Sequence, residues 1–407
     1  MRVSVKHIYI SFIFILGLSF STESQGQRSK EFIYGKVTTK SNEQYIGFIR
    51  WGKEEFLWHD VFNSAKLTNK RVHSNKNKPS SLWDNFDWNL SSIWEDKYRQ
   101  TSHLFSCLFG DIKSLYPRSS EKVDLELKNG TVIKLEGGSN DVGTTLRVYD
   151  FELGLVKIKW NKISKVEFSD APDTNETNFG QPLYGRVKTY RKGSFEGYIK
   201  WDLDERTTED ILDGDDGDQQ VAFKNIKSIT KDGEGVSVIL HSGRQVYLKG
   251  SNDVNSQNRG IAIYQSGVGN IQVNWKEFKH LELMENDEPG LDYKSFGNPV
   301  GLKAEIKTYD DHVYSGLMVY DVDEKWEIEF IDGYDDKVEY QIPLRFIKRI
   351  VPKNKTYSQL YLRNGEVLLL GDGQDVSYKN DGVLLFVKAN KEPKLIEWED
   401  IVEIKIK

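Results

Sequence analysis

The sequence predicts an all-β protein built from three tandem copies of one long unit, and three observations carry that expectation. Residues 184–205, YGRVKTYRKGSFEGYIKWDLDE, align without a gap on 34–55, YGKVTTKSNEQYIGFIRWGKEE, at an offset of 150; 303–324, KAEIKTYDDHVYSGLMVYDVDE, align on the second block at an offset of 119. Apolar and polar residues alternate with a period of two through most of each copy, the pattern of a strand with one buried face. Asn-Gly or Ser-Gly pairs sit between the alternating runs, where a hairpin must reverse. A repeat this long is a whole small domain and not a solenoid coil.

The chain opens with Arg2 and Lys6, an apolar run from Ile8 to Phe20, and then small and polar residues with Ser24 and Gly26 at the minus-three and minus-one positions. That order is expected of a secretory signal over residues 1–26. The run is too short to span a bilayer, no cysteine follows it for lipid attachment, and no later segment is apolar for long enough to cross a membrane. The mature chain is therefore expected in the periplasm, the envelope or the extracellular space, without an integral membrane segment.

The copies are expected at 27–168, 184–283 and 301–407, joined by connectors at 169–183 and 284–300. In the second half of each copy, VDLELKNGTVIKLEG, VSVILHSGRQVYLKG and SQLYLRNGEVLLLG form hairpins about Asn129-Gly130, Ser242-Gly243 and Asn364-Gly365. Further on, Trp160, Trp275 and Trp398 hold one position, and Ile163, Phe278 and Ile401 follow three residues later, a step that fits one short helical turn between two strands. The first half repeats this logic, with Ile112, Ile226 and Ile347 ending the turn. Strand, single turn and final strand resemble the closure of SH3-like and Sm-like small barrels. That resemblance covers almost the whole mature chain and implies two five-stranded barrels per copy, one from each half. Both connectors end in one signature, Phe179-Gly180-Gln181-Pro182 and Phe296-Gly297-Asn298-Pro299, so each Phe is expected to tuck under the barrel that follows and to stiffen the chain into a rod.

The copies are unequal in one place. From Trp51 to Ile112 there are 61 positions, against 25 from Trp201 to Ile226 and 27 from Tyr320 to Ile347, which puts an insertion at about 58–98 of the first copy. It carries a basic stretch and then Trp83, Phe86, Trp88 and Trp94, with Trp58 at its start; Trp51, Trp160, Trp201, Trp275 and Trp398 hold core positions instead. Flat aromatic faces stack on sugar rings and peptide groups at little entropic cost, so Trp83, Phe86, Trp88 and Trp94 are the expected ligand contacts, toward a glycan or a protein. The competing reading is that they cover the barrel they interrupt.

Acidic groups recur as well. Asp213, Asp215, Asp216 and Asp218 crowd one turn, but their order fits no calcium loop, and solvated turn carboxylates are the expectation. Asp141, Asp253 and Asp375, in GGSNDV, KGSNDV and GDGQDV, recur in every copy, which favours turns capped onto nearby backbone amides. The seven histidines show no metal-ligand spacing, there is no nucleophile elbow or phosphate-binding loop, and Cys107 aligns with Val221 and Ile342 as a core thiol. No cofactor and no metal are expected. A net charge of −6 with mixed signs argues against nucleic-acid binding. The expected role is non-catalytic, an exported protein presenting a rigid binding surface; alternatives are a polymer hydrolase using loop carboxylates and a structural scaffold of an envelope complex.

Overall fold

The structure is a computed structural model of the chain and describes residues 29–66, 104–137, 141–173, 179–214, 219–286, 290–387 and 393–407. It is all-β, with large antiparallel sheets and no long helix among the described residues. The first copy contributes β1 (Tyr34–Thr39), β2 (Gln44–Trp51), β3 (Val61–Lys66), β4 (Leu104–Leu108), β5 (Ile112–Pro117), β6 (Lys122–Leu127), β7 (Val132–Glu136), β8 (Thr145–Asp150), β9 (Gly154–Lys159) and β10 (Ile163–Phe168). The second contributes β11 (Tyr184–Thr189), β12 (Ser194–Trp201), β13 (Ile211–Asp213), β14 (Gln220–Ala222), β15 (Ile226–Asp232), β16 (Gly235–Leu240), β17 (Gln245–Lys249), β18 (Ile261–Gln265), β19 (Gly269–Val273) and β20 (Phe278–Leu283). The third contributes β21 (Lys303–Thr308), β22 (Val313–Tyr320), β23 (Phe330–Asp335), β24 (Val338–Pro343), β25 (Ile347–Pro352), β26 (Tyr357–Leu362), β27 (Val367–Gly371), β28 (Val383–Phe386), β29 (Lys394–Ile396) and β30 (Ile401–Ile406). Strands ten apart in this numbering hold equivalent places in the sequence alignment.

The pairing differs from the one the resemblance implied. In the first copy the ladder runs β4-β3-β7-β6-β5-β10-β1-β2-β8-β9, and the third copy repeats it as β24-β23-β27-β26-β25-β30-β21-β22-β28-β29. The second copy follows the same order except that β13 and β14 form a separate two-stranded sheet. Among the described residues no closed barrel is found. Nor do the two sequence halves pair only within themselves: the β1–β2 hairpin from the first half lies between β10 and β8 from the second. In each copy the last strand pairs with the first, with a register irregularity at Thr38/Thr39 in β1–β10, Lys188/Thr189 in β11–β20 and Lys307/Thr308 in β21–β30. The pairing of β2 with β8 needs a glycine. A Cβ on Gly47, Gly197 or Gly316 would stand 2.0, 2.1 or 2.4 Å from the carbonyl oxygen of Tyr149, Tyr264 or Phe386.

Local expectations fare better. Short 3-10 turns occur at Phe109–Asp111, Trp160–Lys162, Phe223–Asn225, Leu344–Phe346 and Trp398–Asp400, each followed directly by a strand. The β6–β7, β16–β17 and β26–β27 hairpins form, and at their tips Gly130, Gly243 and Gly365 take φ of 85°, 84° and 97°. Asn129 and Asn364 are not in that region, so the glycine alone supplies the left-handed residue of each tip. The core is pegged by the expected aromatics. Trp51 meets Trp160 edge-on at 6.0 Å, Trp201 meets Trp275 at 6.0 Å, and Tyr320 meets Trp398 at 6.1 Å.

The connectors do not make a rod. Phe179 is buried against the first copy, stacked on Phe32 at 5.3 Å and Phe56 at 5.6 Å, and not under the copy that follows it. Phe296 is buried too, with its ring so close to Gly110 of the first copy that a Cβ there would lie 2.4 Å away. The second and third copies share one apolar core, and the core of the first takes in Tyr264 from the second and Ile328 and Phe330 from the third. Aromatic surface left at the ends of single copies is thus buried where copies meet.

Candidate functional site

Trp83, Phe86, Trp88 and Trp94 lie outside the described residues, as do Asp215, Asp216 and Asp218. What the structure describes is the base from which residues 67–103 depart. β3 and β4 pair antiparallel from Val61↔Leu108 to Ala65↔Leu104, so the two ends of the segment are cross-strand neighbours. Lys66, last in β3, is held by the third copy: its Nζ lies 2.9 Å from Asp323 Oδ1 and 2.5 Å from Glu329 Oε2, and donates to the Asp323 carbonyl at 2.8 Å. Burial works against the charge on Lys66, and Asp323, Glu329 and Glu324 overcome it, so the ammonium is kept charged. Trp58 is no part of the insertion: it is fully buried, donates its indole N–H to the Lys30 carbonyl at 3.0 Å and packs on Tyr293 at 4.6 Å. Residues 56–66 align with 206–216 of the second copy, so the extra length falls after Lys66 and not from residue 58.

Buried charged groups also join the copies. Asp60 caps its own turn through the amides of Phe56 and Leu57, at 2.7 and 2.8 Å, and its other oxygen accepts from the Arg206 guanidinium of the second copy. Burial pushes Asp60 up, but Arg206 and the amide hydrogen bonds outweigh it and hold the carboxyl below its ordinary value. Asp111, fully buried, takes a forked pair from Arg345 of the third copy at 2.7 and 3.0 Å. His59 is sandwiched between Tyr264, stacked at 4.2 Å, and Tyr198 at 4.5 Å, and burial lowers it to about 4. Burial pushes Asp111 up despite the Arg345 guanidinium, and with His59 neutral the cluster ties the copies together through the Asp60–Arg206 and Asp111–Arg345 pairs. Sequence reasoning missed it, yet a signal existed: Arg345 stands where the other copies have Lys224 and Gly110, and Asp111 where they have Asn225 and Phe346. The Asp111–Arg345 contact falls where the copies disagree, whereas Asp60 recurs as Asp210 and Glu329.

The recurrent Asp141, Asp253 and Asp375 do bond backbone amides, but not nearby ones. Their Oδ2 atoms accept from Asn63, Asp213 and Asp332 at 2.8, 2.9 and 2.6 Å, tying each turn to a distant strand. The carbonyls of the same residues accept from Trp51 and Trp201 at 2.9 Å each, and from the Tyr320 hydroxyl. Each lies beside a second acid of the turn after β2, β12 or β22. Burial pushes Glu55 up to about 8, Asp141 to about 7, Asp253 to about 6 and Asp375 to about 8, with neighbouring carboxyls adding to the shift of Glu55, Asp253 and Asp375.

Asp202, Asp204 and Glu205 come within 4.8 Å of one another, the closest approach to a cation site among the described residues, but the Arg259 guanidinium sits 2.6 Å from Asp204 and 3.4 Å from Asp202. Its charge stands where a metal ion would. Cys107 is fully buried in the core of the first copy, and burial pushes its thiol well up, so it is no nucleophile. A cavity of about 410 Å³ on the second copy is lined, among the described residues, by Gln219, Gln220, Asn225, His241, Ser242 and Arg244 with three apolar residues.

No family model and no curated protein matches this chain. Among solved structures, a streptogramin B lyase structure aligns over 73% of this chain and 94% of its own at 11% identity, with a TM-score of 0.11, a likeness that carries no argument about fold or activity. No helix among the described residues is long and apolar enough to cross a membrane.

Proposed function

We propose that this chain is an exported, non-catalytic binding protein in which three tandem units lock into one rigid body that presents an aromatic segment to a glycan or protein partner. Residues 1–26 act as the export leader in this reading. Each unit, at 27–168, 184–283 and 301–407, carries two five-strand groups of SH3-like size, one from β3 to β7 and its equivalents and one from β1, β2 and β8 to β10. Trp83, Phe86, Trp88 and Trp94 supply the stacking faces.

The observation that supports the reading is the clamp on Lys66. A segment meant only to cover its own barrel needs no anchor on another copy, whereas a presented segment gains from a fixed base, because ordering before contact lowers the entropic cost of binding. The hydrolase alternative draws no support from the described lining residues of the cavity, among which no paired carboxylates of the kind glycoside hydrolysis uses occur.

Replacing residues 70–100 by a short Gly-Ser linker tests the reading. The variant should keep its melting temperature to within a few degrees and lose binding to an array of polysaccharides, peptidoglycan fragments and envelope proteins that the intact chain recognises. Unfolding of the variant, or unchanged binding, would refute it.

A further inference from the structure

β9 ends the first ladder, and among the described residues it pairs only with β8. Its equivalent in the second copy is covered. GLVKIKW (154–160) aligns with GNIQVNW (269–275), and β19 pairs antiparallel with β24 in the register Asn270↔Gln341, Ile271↔Tyr340, Gln272↔Glu339 and Val273↔Val338. The contrast shows at one glycine: a Cβ on Gly269 would lie 2.4 Å from the Gln341 carbonyl oxygen, whereas nothing stands within 4 Å of one on Gly154.

The open edge continues into an apolar tip. Phe151, Leu153 and Leu155 are 53%, 66% and 47% exposed, and Ile46 beside them 45%. The tip is built, not loose, because Asp150 accepts from the amides of Glu152, Leu153 and Ile46 at 2.9, 3.1 and 3.0 Å. Unpaired edges with apolar neighbours template strand addition. Charge decides the occupant. Lys157 takes the place of Gln272, which faces Glu339 in the covered joint, and Lys159 is exposed two residues on. Two such edges meeting would set lysines against lysines, while an acidic strand would pair with them.

We propose that the free edge of β9, with the tip at Phe151 and Leu153, docks an extended acidic strand of a partner protein, which adds antiparallel as the next strand of the ladder. The proposal rests on the reading of the chain as a binding body, but it concerns a surface separate from residues 67–103, so the linker replacement above and the test below fail independently.

The probe is a synthetic peptide of residues 336–343, DKVEYQIP, which copies the strand that covers the equivalent edge. The full chain should bind it saturably in fluorescence anisotropy. Lys157→Glu should weaken binding by about fivefold, and a peptide carrying Glu339→Lys should recover affinity for that variant. Leu155→Asp should also weaken binding, with melting temperatures unchanged because both side chains are exposed. Absence of saturable binding at millimolar peptide, or equal affinity for the wild type and Lys157→Glu, would overturn the proposal. Self-association in sedimentation that Lys157→Glu abolishes would also overturn it, by making a second copy the occupant.

Discussion

Arg345 crosses from the third copy to a carboxylate with no exposed surface, and its loss would leave Asp111 buried and unpaired. Breaking one side of such a pair costs about 3–5 kcal/mol, whereas replacing both ions by apolar groups of similar size is often close to neutral. Arg345→Ala should therefore lower the unfolding free energy in urea by about that amount, and Arg345→Met combined with Asp111→Leu should cost less than the single change. The recurrent buried acids give a pH dependence whose sign is fixed. Glu55, Asp141, Asp253 and Asp375 are raised to between about 6 and about 8, so the folded chain binds more protons than the unfolded chain once pH exceeds about 4. Their contribution is full below that point and is lost as pH rises through the folded values. His59, lowered to about 4, opposes this only below its ordinary value near 6.5, where the unfolded chain takes up the proton instead. The melting temperature should fall steadily from pH 6.5 to 9; a rise over that range would contradict the assignment of these acids as buried and protonated.

At the scale of elements, much was legible because it depends on local rules. Alternation located the β6–β7, β16–β17 and β26–β27 hairpins, and the step of three from Trp160 to Ile163 located a 3-10 turn. Strand pairing was not legible, since nothing local says that β1 and β2 leave their own half to lie between β10 and β8. The reach of Asp141 to the amide of Asn63, 78 residues away, escaped for the same reason. The connectors illustrate both sides: the repeated Phe was visible, and its destination was not. Phe179 packs back onto Phe32 and Phe56, and Phe296 onto Gly110. Truncating a buried Phe removes its transfer free energy and leaves a cavity, so Phe179→Ala should destabilise by about 3–5 kcal/mol in urea unfolding. Gly110→Ala should also destabilise, since the added methyl meets the Phe296 ring. If Phe179→Ala costs under about 1 kcal/mol, the connector is not docked as described.

For the whole molecule, the repeat in the sequence carries the strand pattern, and side chains at both recurrent and unequal positions carry the assembly. Asp60 with Arg206 joins the first copy to the second, Asp111 with Arg345 and Lys66 with Asp323 join the first to the third, and β19 with β24 joins the second to the third. All three pairs of copies therefore touch, which a linear string of domains does not allow. Small-angle scattering of the chain without residues 1–26 tests this most directly. Chain-length scaling for a single compact body of about 380 residues gives a radius of gyration near 21 Å. The account predicts a value close to that with a compact pair-distance profile; a value well above about 30 Å with a rod-like profile would contradict it.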